Sequence, residues 1–235
     1  MRLRLSYATF VPAFYWGSTH LLRAILVVLA RWKTSGREHV PLEGPLLVVA
    51  NHLNNADPPI LAAGVGGRRI RLMGKIEIFK YPFGIVPRLF GAFPVRRFDA
   101  DVAAMLNAER ILRHGDVLGM FPEGTRSRTG HLGTLHGGTA LIALHTGSTV
   151  LPCAITGTEQ LRSPLAVLRK PKITVTVGEP IPVEVVRRPT AEQVSDLTAR
   201  ITEAIERLLP PKYRATYTEI VAAGTDDDGG DPEGN

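Results

Sequence analysis

Two short stretches gather side chains able to do chemistry. In LLVVANHLNNADPP, residues 46–59, an apolar run stops at His52 and Asp57 follows five residues later. A carboxylate bonded to one ring nitrogen of a histidine fixes its tautomer and leaves the other nitrogen as a base. That is the orienting half of a catalytic triad, with no serine or cysteine beside it. Such a dyad suits a reaction whose substrate brings its own hydroxyl. Taken alone, the spacing equally fits an Asp57 that only caps the next helix and a His52 that is an ordinary loop residue.

The second stretch is FPEGTRSR, residues 121–128. Arg126 and Arg128 can make charge-assisted bonds to phosphate, and Arg126 can do so bidentately. Gly124 lets backbone come close to a ligand. Glu123 can bond polyol hydroxyls or hold Arg126 in place. Two weaker stretches follow the same logic. GAFPVRR, residues 91–97, ends a short strand with Arg96 and Arg97; Arg97 is the candidate for the same crevice, and Arg96 reads as solvated. VLPCAITG, residues 150–157, is an apolar strand carrying Pro152, which reads as an edge or bulge strand, or as one wall of an acyl-binding tunnel.

In that order, N-H-x-x-x-x-D, G-x-F-P-V-x-R, F-P-E-G-T-R-S and the apolar x-x-P run resemble the motifs of the glycerophospholipid acyltransferases. The similarity is greatest to the bacterial 1-acyl-glycerol-3-phosphate (lysophosphatidate) acyltransferases and covers residues 35–185 or so. The resemblance implies that His52 is the general base and Asp57 its orienter. It implies that Arg97, Glu123, Gly124 and Arg126 bind the glycerol phosphate and that Pro152 belongs to the acyl-donor region. Lys75, in KIEIFKYPFG, matches a segment that the family places beside the active site.

The implied reaction is acyl transfer to the free 2-hydroxyl of a lysophosphatidate. The donor would be acyl-coenzyme A or acyl-carrier protein, with no bound cofactor and no metal. Backbone N–H groups near His52 are the expected oxyanion donors. One departure stands out: where many relatives show an F-K-K-G-like stretch, this chain has Leu135, His136, Gly137 and Gly138. That bears on donor type more than on the chemistry. Alternative acceptors are glycerol-3-phosphate, another lysophospholipid or an aminolipid; a lipid hydrolase and a non-catalytic binder of anionic surfaces are the rivals from other classes.

These residues need a scaffold. LLVVA (46–50), IRLMGK (70–75), AFPV (92–95), VLGMF (117–121), STVLPCAIT (148–156) and KITVTVGEP (172–180) read as strands. Asp57 with Pro58 reads as the N-cap and first position of a helix through PPILAAGVG. Residues 75–90 form short helical pieces broken by Pro82 and Pro87. Residues 99–115, 137–147 and 190–209 form further helices. The alternation predicts an α/β fold: one catalytic domain with a largely parallel central sheet flanked by helices. In such sheets sites gather beyond the carboxyl ends of strands, which is where His52 and Glu123 fall.

The chain of 235 residues is 44% hydrophobic, enough for a full core. Its single cysteine, Cys153, excludes an intramolecular disulfide and a cysteine zinc cluster, fits a reducing compartment, and reads as a small buried hydrophobe. The absence of G-x-G-x-x-G and P-loop patterns leaves a nucleotide cofactor without support. The net charge of +6 favours an anionic partner. Nucleic acid is not expected, since the basic residues lie beside apolar runs rather than on a polar stripe.

Residues 1–37 carry Arg2, Arg4, Arg23, Arg31, Lys33 and Arg37 and no acid, around the apolar stretch 5–30. Pro12, Gly17 and Arg23 interrupt that stretch, so it reads as a segment lying in or dipping into one leaflet rather than spanning. The expected organisation is an apolar, membrane-contacting helical segment over 1–34, an acyltransferase domain over 35–212, and a tail over 213–235 that is acidic and disordered from about 224. The expected location is the cytoplasmic face of the cell membrane, peripheral or monotopic.

Overall fold

The computed structural model describes residues 7–80, 84–95, 101–127 and 129–214. Arg96, Arg97, Arg128, Pro82, the first six residues and the acidic end of the tail lie outside the described residues.

The apolar runs form a sheet buried on both faces, as a mostly parallel sheet requires. Strand β1 spans Lys33–Ser35, β2 Leu46–Ala50, β3 Ile70–Lys75, β4 Phe93–Val95, β5 Val117–Met120, β6 Thr149–Thr156 and β7 Thr174–Val177. Among the described residues these seven strands form one sheet in the order β1-β7-β6-β2-β5-β3-β4. Strands β6, β2, β5, β3 and β4 run parallel; β7 is antiparallel to β6, and β1 runs parallel to β7.

The helices are α1 (Tyr7–Leu29), α2 (Asp57–Val65), α3 (Ile85–Leu89), α4 (Val102–Arg113), α5 (Gly138–Thr146) and α6 (Ala191–Leu208). Helices α4, α5 and α6 cover one face of the sheet with Leu112, Ile142 and Ile201 over Leu47, Val49 and Val150. Helices α1 and α2 cover the other, with Leu26, Ile60 and Leu61 over Val48, Leu151 and Val175. Local chemistry sets the ends. The Asp101 side chain caps α4 by accepting from the Ala104 N–H, and Thr190 with Gln193 forms a reciprocal capping box on α6.

Four features depart from the sequence reading or narrow it. Strand β1 is polar and only three residues long, so its composition carries no strand signal; it exists because it pairs with β7. The expected division at 34/35 therefore falls inside a strand. The expected tail boundary at 213 also falls inside the fold. Tyr213 is buried: its carbonyl accepts from the Leu132 N–H, and its hydroxyl accepts from the Gly157 N–H while donating to Glu159.

The third feature concerns β6: of the two settings expected for Pro152, an edge or a bulge, the structure shows the bulge, in the interior of the sheet. The missing N–H is tolerated because the opposing chain bulges there. Cys153 pairs with Val177, yet Val150 pairs with Ile181, which leaves one extra residue on the β7 side. The Gly178 N–H donates to the Pro152 carbonyl within that bulge.

Fourth, α1 is part of the core. Tyr15, Thr19 and Leu26, with Ala30 just beyond the helix end, are buried against the domain, and the Tyr15 hydroxyl accepts from the Ile70 N–H. No helix among the described residues is long and apolar enough to cross a membrane.

Candidate active site

Strand β2 hands over to the His52 loop through Asn51, a residue whose role the sequence reading did not assign. Its amide donates to the Ile155 carbonyl (2.9 Å) and its carbonyl oxygen accepts from the Ile155 N–H (2.7 Å). A side-chain amide has the same donor and acceptor as a peptide, so Asn51 extends the ladder to β6 after the backbone has turned away. An asparagine directly after a buried apolar strand is the signal that could have revealed it.

The structure brings His52 and Asp57 together. His52 Nδ1 and Asp57 Oδ2 are 2.8 Å apart, and Asp57 is fully buried. The same carboxylate oxygen accepts from the Leu53 and Asn54 N–H groups, each at 2.6 Å. The imidazole stacks on Phe121, with ring centroids 4.4 Å apart. Its plane and its Nδ1 partner are thus both fixed.

Asp57 is not the N-cap expected from sequence. It is the first residue of α2, and Ala56 occupies the cap position. The reason lies in the next two residues. Pro58 and Pro59 have no N–H, and the first free amide of the helix, that of Ile60, donates to the Ala56 carbonyl, so no donor is left for Asp57 to cap. Its carboxylate is left to serve the preceding loop and the imidazole.

Glu123 also takes a different task from the expected one. It neither reaches outward toward a polyol nor braces Arg126. Its side chain is buried, Oε1 accepts from the His52 N–H (2.7 Å) and Oε2 from the Gly133 N–H (3.0 Å). The Ser127 N–H in turn donates to the His52 carbonyl (2.8 Å). Both backbone polar groups of His52 are therefore tied to the Phe121–Ser127 loop. Burial pushes the Glu123 carboxyl up to about 7; the two backbone N–H bonds oppose that rise and the nearby Asp57 charge adds to it.

Gly124 has φ +66, and a side chain there would press on the His136 ring. The loop therefore needs glycine at this point. Of the amides expected as oxyanion donors, those of His52, Leu53 and Asn54 are engaged as described, that of Ala56 with Asn54 Oδ1 and that of Asp57 with the Asn54 carbonyl, while that of Asn55 has no hydrogen-bond partner among the described residues.

The free cations sit at the rim. Arg126 is exposed and has no hydrogen bond or ion pair among the described residues. Lys75 is exposed at the carboxyl end of β3, on the same sheet edge as the ends of β2 and β5. Strand β4 ends at Val95 on that edge, and Arg97 beyond it lies outside the described residues. Pro152 is not at the rim. It lies within the sheet, level with Val49.

The chemistry available is that of an oriented base whose ring, among the described residues, has no hydrogen bond to a serine, threonine or cysteine side chain. Cys153 is fully buried in β6, level with Ala50, and burial pushes its thiol far above the usual range. Among the described residues no group of His, Cys, Asp and Glu side chains is arranged to hold a metal ion.

Residues 31–156 match the family model described as Acyltransferase. A 1-acyl-sn-glycerol-3-phosphate acyltransferase of Bacillus subtilis is 25% identical over 189 residues, covering 80% of this chain and 92% of that protein. One of Borreliella burgdorferi is 30% identical over 127 residues, covering 53% of this chain and 50% of that protein. Among solved structures, the 1-acyl-sn-glycerophosphate (LPA) acyltransferase PlsC of Thermotoga maritima superposes with a TM-score of 0.65. It is 24% identical, and the match covers 84% of this chain and 77% of that one, a likeness of fold.

Proposed function

Since the chain belongs to the Acyltransferase family, we propose that it moves a fatty acyl group from an acyl thioester to the free 2-hydroxyl of 1-acyl-glycerol-3-phosphate, giving phosphatidic acid for phospholipid synthesis. The observation that carries this reading is a buried His52–Asp57 dyad whose ring has no hydrogen bond to a serine, threonine or cysteine side chain among the described residues, on a loop tied to that of Arg126, which is unpaired among the same residues. The names of the relatives support the choice of acceptor.

In the proposed mechanism His52 Nε2 takes the proton of the 2-hydroxyl, while Asp57 holds Nδ1 and stabilises the imidazolium that forms. The hydroxyl oxygen bonds to the thioester carbonyl carbon and a tetrahedral intermediate forms. As it collapses the carbon–sulfur bond breaks, and the imidazolium returns its proton to the departing thiolate. Arg126 holds the acceptor phosphate so that the hydroxyl lies within attack distance, with Lys75 and Arg97 as further cations for the same group. The buried thiol of Cys153 argues for direct transfer over an acyl-cysteine relay. Donors are acyl-coenzyme A or acyl-carrier protein, both anionic. The working location is the cytoplasmic face of the cell membrane.

The test is acyl transfer from labelled acyl-coenzyme A, then from acyl-carrier protein, to lysophosphatidate, glycerol-3-phosphate and lysophosphatidylglycerol. Transfer to lysophosphatidate that is abolished in His52→Ala is the expected result. Arg126→Ala should raise KM for that acceptor about tenfold or more with a smaller change in kcat. Transfer confined to another acceptor would move the substrate assignment; transfer from neither donor to any acceptor would overturn it.

A further inference from the structure

Beyond β6 the chain makes a basic and apolar excursion that the catalytic reading leaves without a task. Residues 161–172 read LRSPLAVLRKPK. Within it the 3-10 helix Pro164–Arg169 packs against α1. Leu165 is 74% exposed and Leu168 61%. Two exposed leucines in so short a segment leave apolar area in water that core packing would have hidden.

Their neighbours are Arg162, Arg169, Lys170 and Lys172, all exposed. There is no acid between 161 and 172, and none of the four side chains has an ion pair among the described residues. Arg162 and Arg169 also line a cavity of about 590 Å³ together with Ser163 and Leu165. The acid on that cavity, Glu159, accepts a hydrogen bond from the Tyr213 hydroxyl.

The placement adds to the composition. The Arg31 N–H donates to the Pro171 carbonyl and the Arg31 guanidinium to that of Lys170, so the end of α1 is tied to this segment. Helix α1 itself exposes Leu21, Ile25 and Val28, whose spacing of four and three puts them on one stripe opposite the buried one. On the catalytic side, the Asn54 amide donates to the Leu161 carbonyl (3.1 Å), which joins the His52 loop directly to the same segment.

We propose that residues 161–172 are a second membrane anchor, borne by the catalytic domain itself, which docks with α1 on an anionic phospholipid bilayer. Leu165 and Leu168 enter the acyl boundary, and Arg162 and Arg169 take a headgroup phosphate in the cavity between them. A lipid surface is the occupant favoured here because leucines flanked by unpaired cations match apolar chains beneath anionic headgroups. The catalytic consequence, delivery of the His52 crevice to the lipid surface, rests on the lipid-acceptor reading; the docking itself does not.

The test uses the full chain and no acyl substrate. Cys153 is the single cysteine and is fully buried, so Leu165→Cys or Leu168→Cys offers a unique accessible thiol for an environment-sensitive fluorophore. Leu106→Cys on α4, across the sheet from α1, is the control. Labels at 165 and 168 should shift to the blue with vesicles of phosphatidylcholine mixed with phosphatidylglycerol, and a label at 106 should not. Arg162→Glu with Arg169→Glu should weaken vesicle binding about tenfold while leaving the melting temperature near that of the parent chain. Vesicle binding without a shift at 165 or 168, an equal shift at 106, or an undiminished affinity in the charge-reversed variant would each overturn the proposal. Each readout is independent of which acceptor the enzyme acylates.

Discussion

Asp57 places one carboxylate oxygen against two backbone amides and the imidazole. Asp57→Asn keeps the shape and removes the charge that stabilises the imidazolium. We expect kcat/KM to fall about a hundredfold or more with little loss of folding, measured by acyl transfer beside a thermal melt. Glu123 predicts a pH dependence of stability. Its carboxyl is raised from 4.5 to about 7 in the folded protein, so folding takes up the proton more tightly than the unfolded chain does. The stability this contributes is full below the unfolded value and is lost as pH rises through the folded one. The unfolding free energy of the parent chain minus that of Glu123→Gln should therefore decline across this window and be level above it. A difference that rises over the same window would contradict the burial argument. The dyad was not legible from its spacing alone, which fits a helix cap as well; it became legible through its company, the GAFPVRR and FPEGTRSR stretches that follow it in order. The inward turn of Glu123 was not, because its partners are backbone amides of residues 52 and 133, which no side-chain pattern reports.

At the scale of elements, the strands and helices that carry apolar periodicity were readable, and those held by pairing alone were not. LLVVA declares itself by composition, whereas Lys-Thr-Ser in β1 becomes a strand only because β7 runs beside it. The direction of β7 was equally hidden, since a run such as TVTV is the same in a parallel or an antiparallel neighbour. Asn51 belongs to this scale because it completes an element from outside it. Asn51→Leu would leave the buried N–H and carbonyl of Ile155 without their partner. We expect a loss of about 2 kcal/mol in chemical denaturation, together with reduced turnover from a less firmly held His52. Destabilisation without any change in turnover would separate the ladder from the site.

For the whole molecule, the separation into an apolar N-terminal segment and a catalytic domain, which composition suggests, dissolves in three dimensions. Tyr15, Leu26 and Ala30 are core residues, and Ile70 in β3 gives its N–H to Tyr15. A chain lacking residues 1–30 should therefore aggregate or melt at a markedly lower temperature, and should not behave as a free-standing catalytic unit; an unchanged melt would refute that view of α1. The same packing bears on how such an enzyme would meet its substrate. A helix joined to its domain by a loose linker acts as a mooring line, and the crevice then drifts over a range of heights. Here the helix is a keel. Docked through α1 and its neighbouring basic turn, the crevice would ride at one height and one tilt. The choice among hydroxyls of a lipid would then be made in part by depth, before any side chain recognises the molecule.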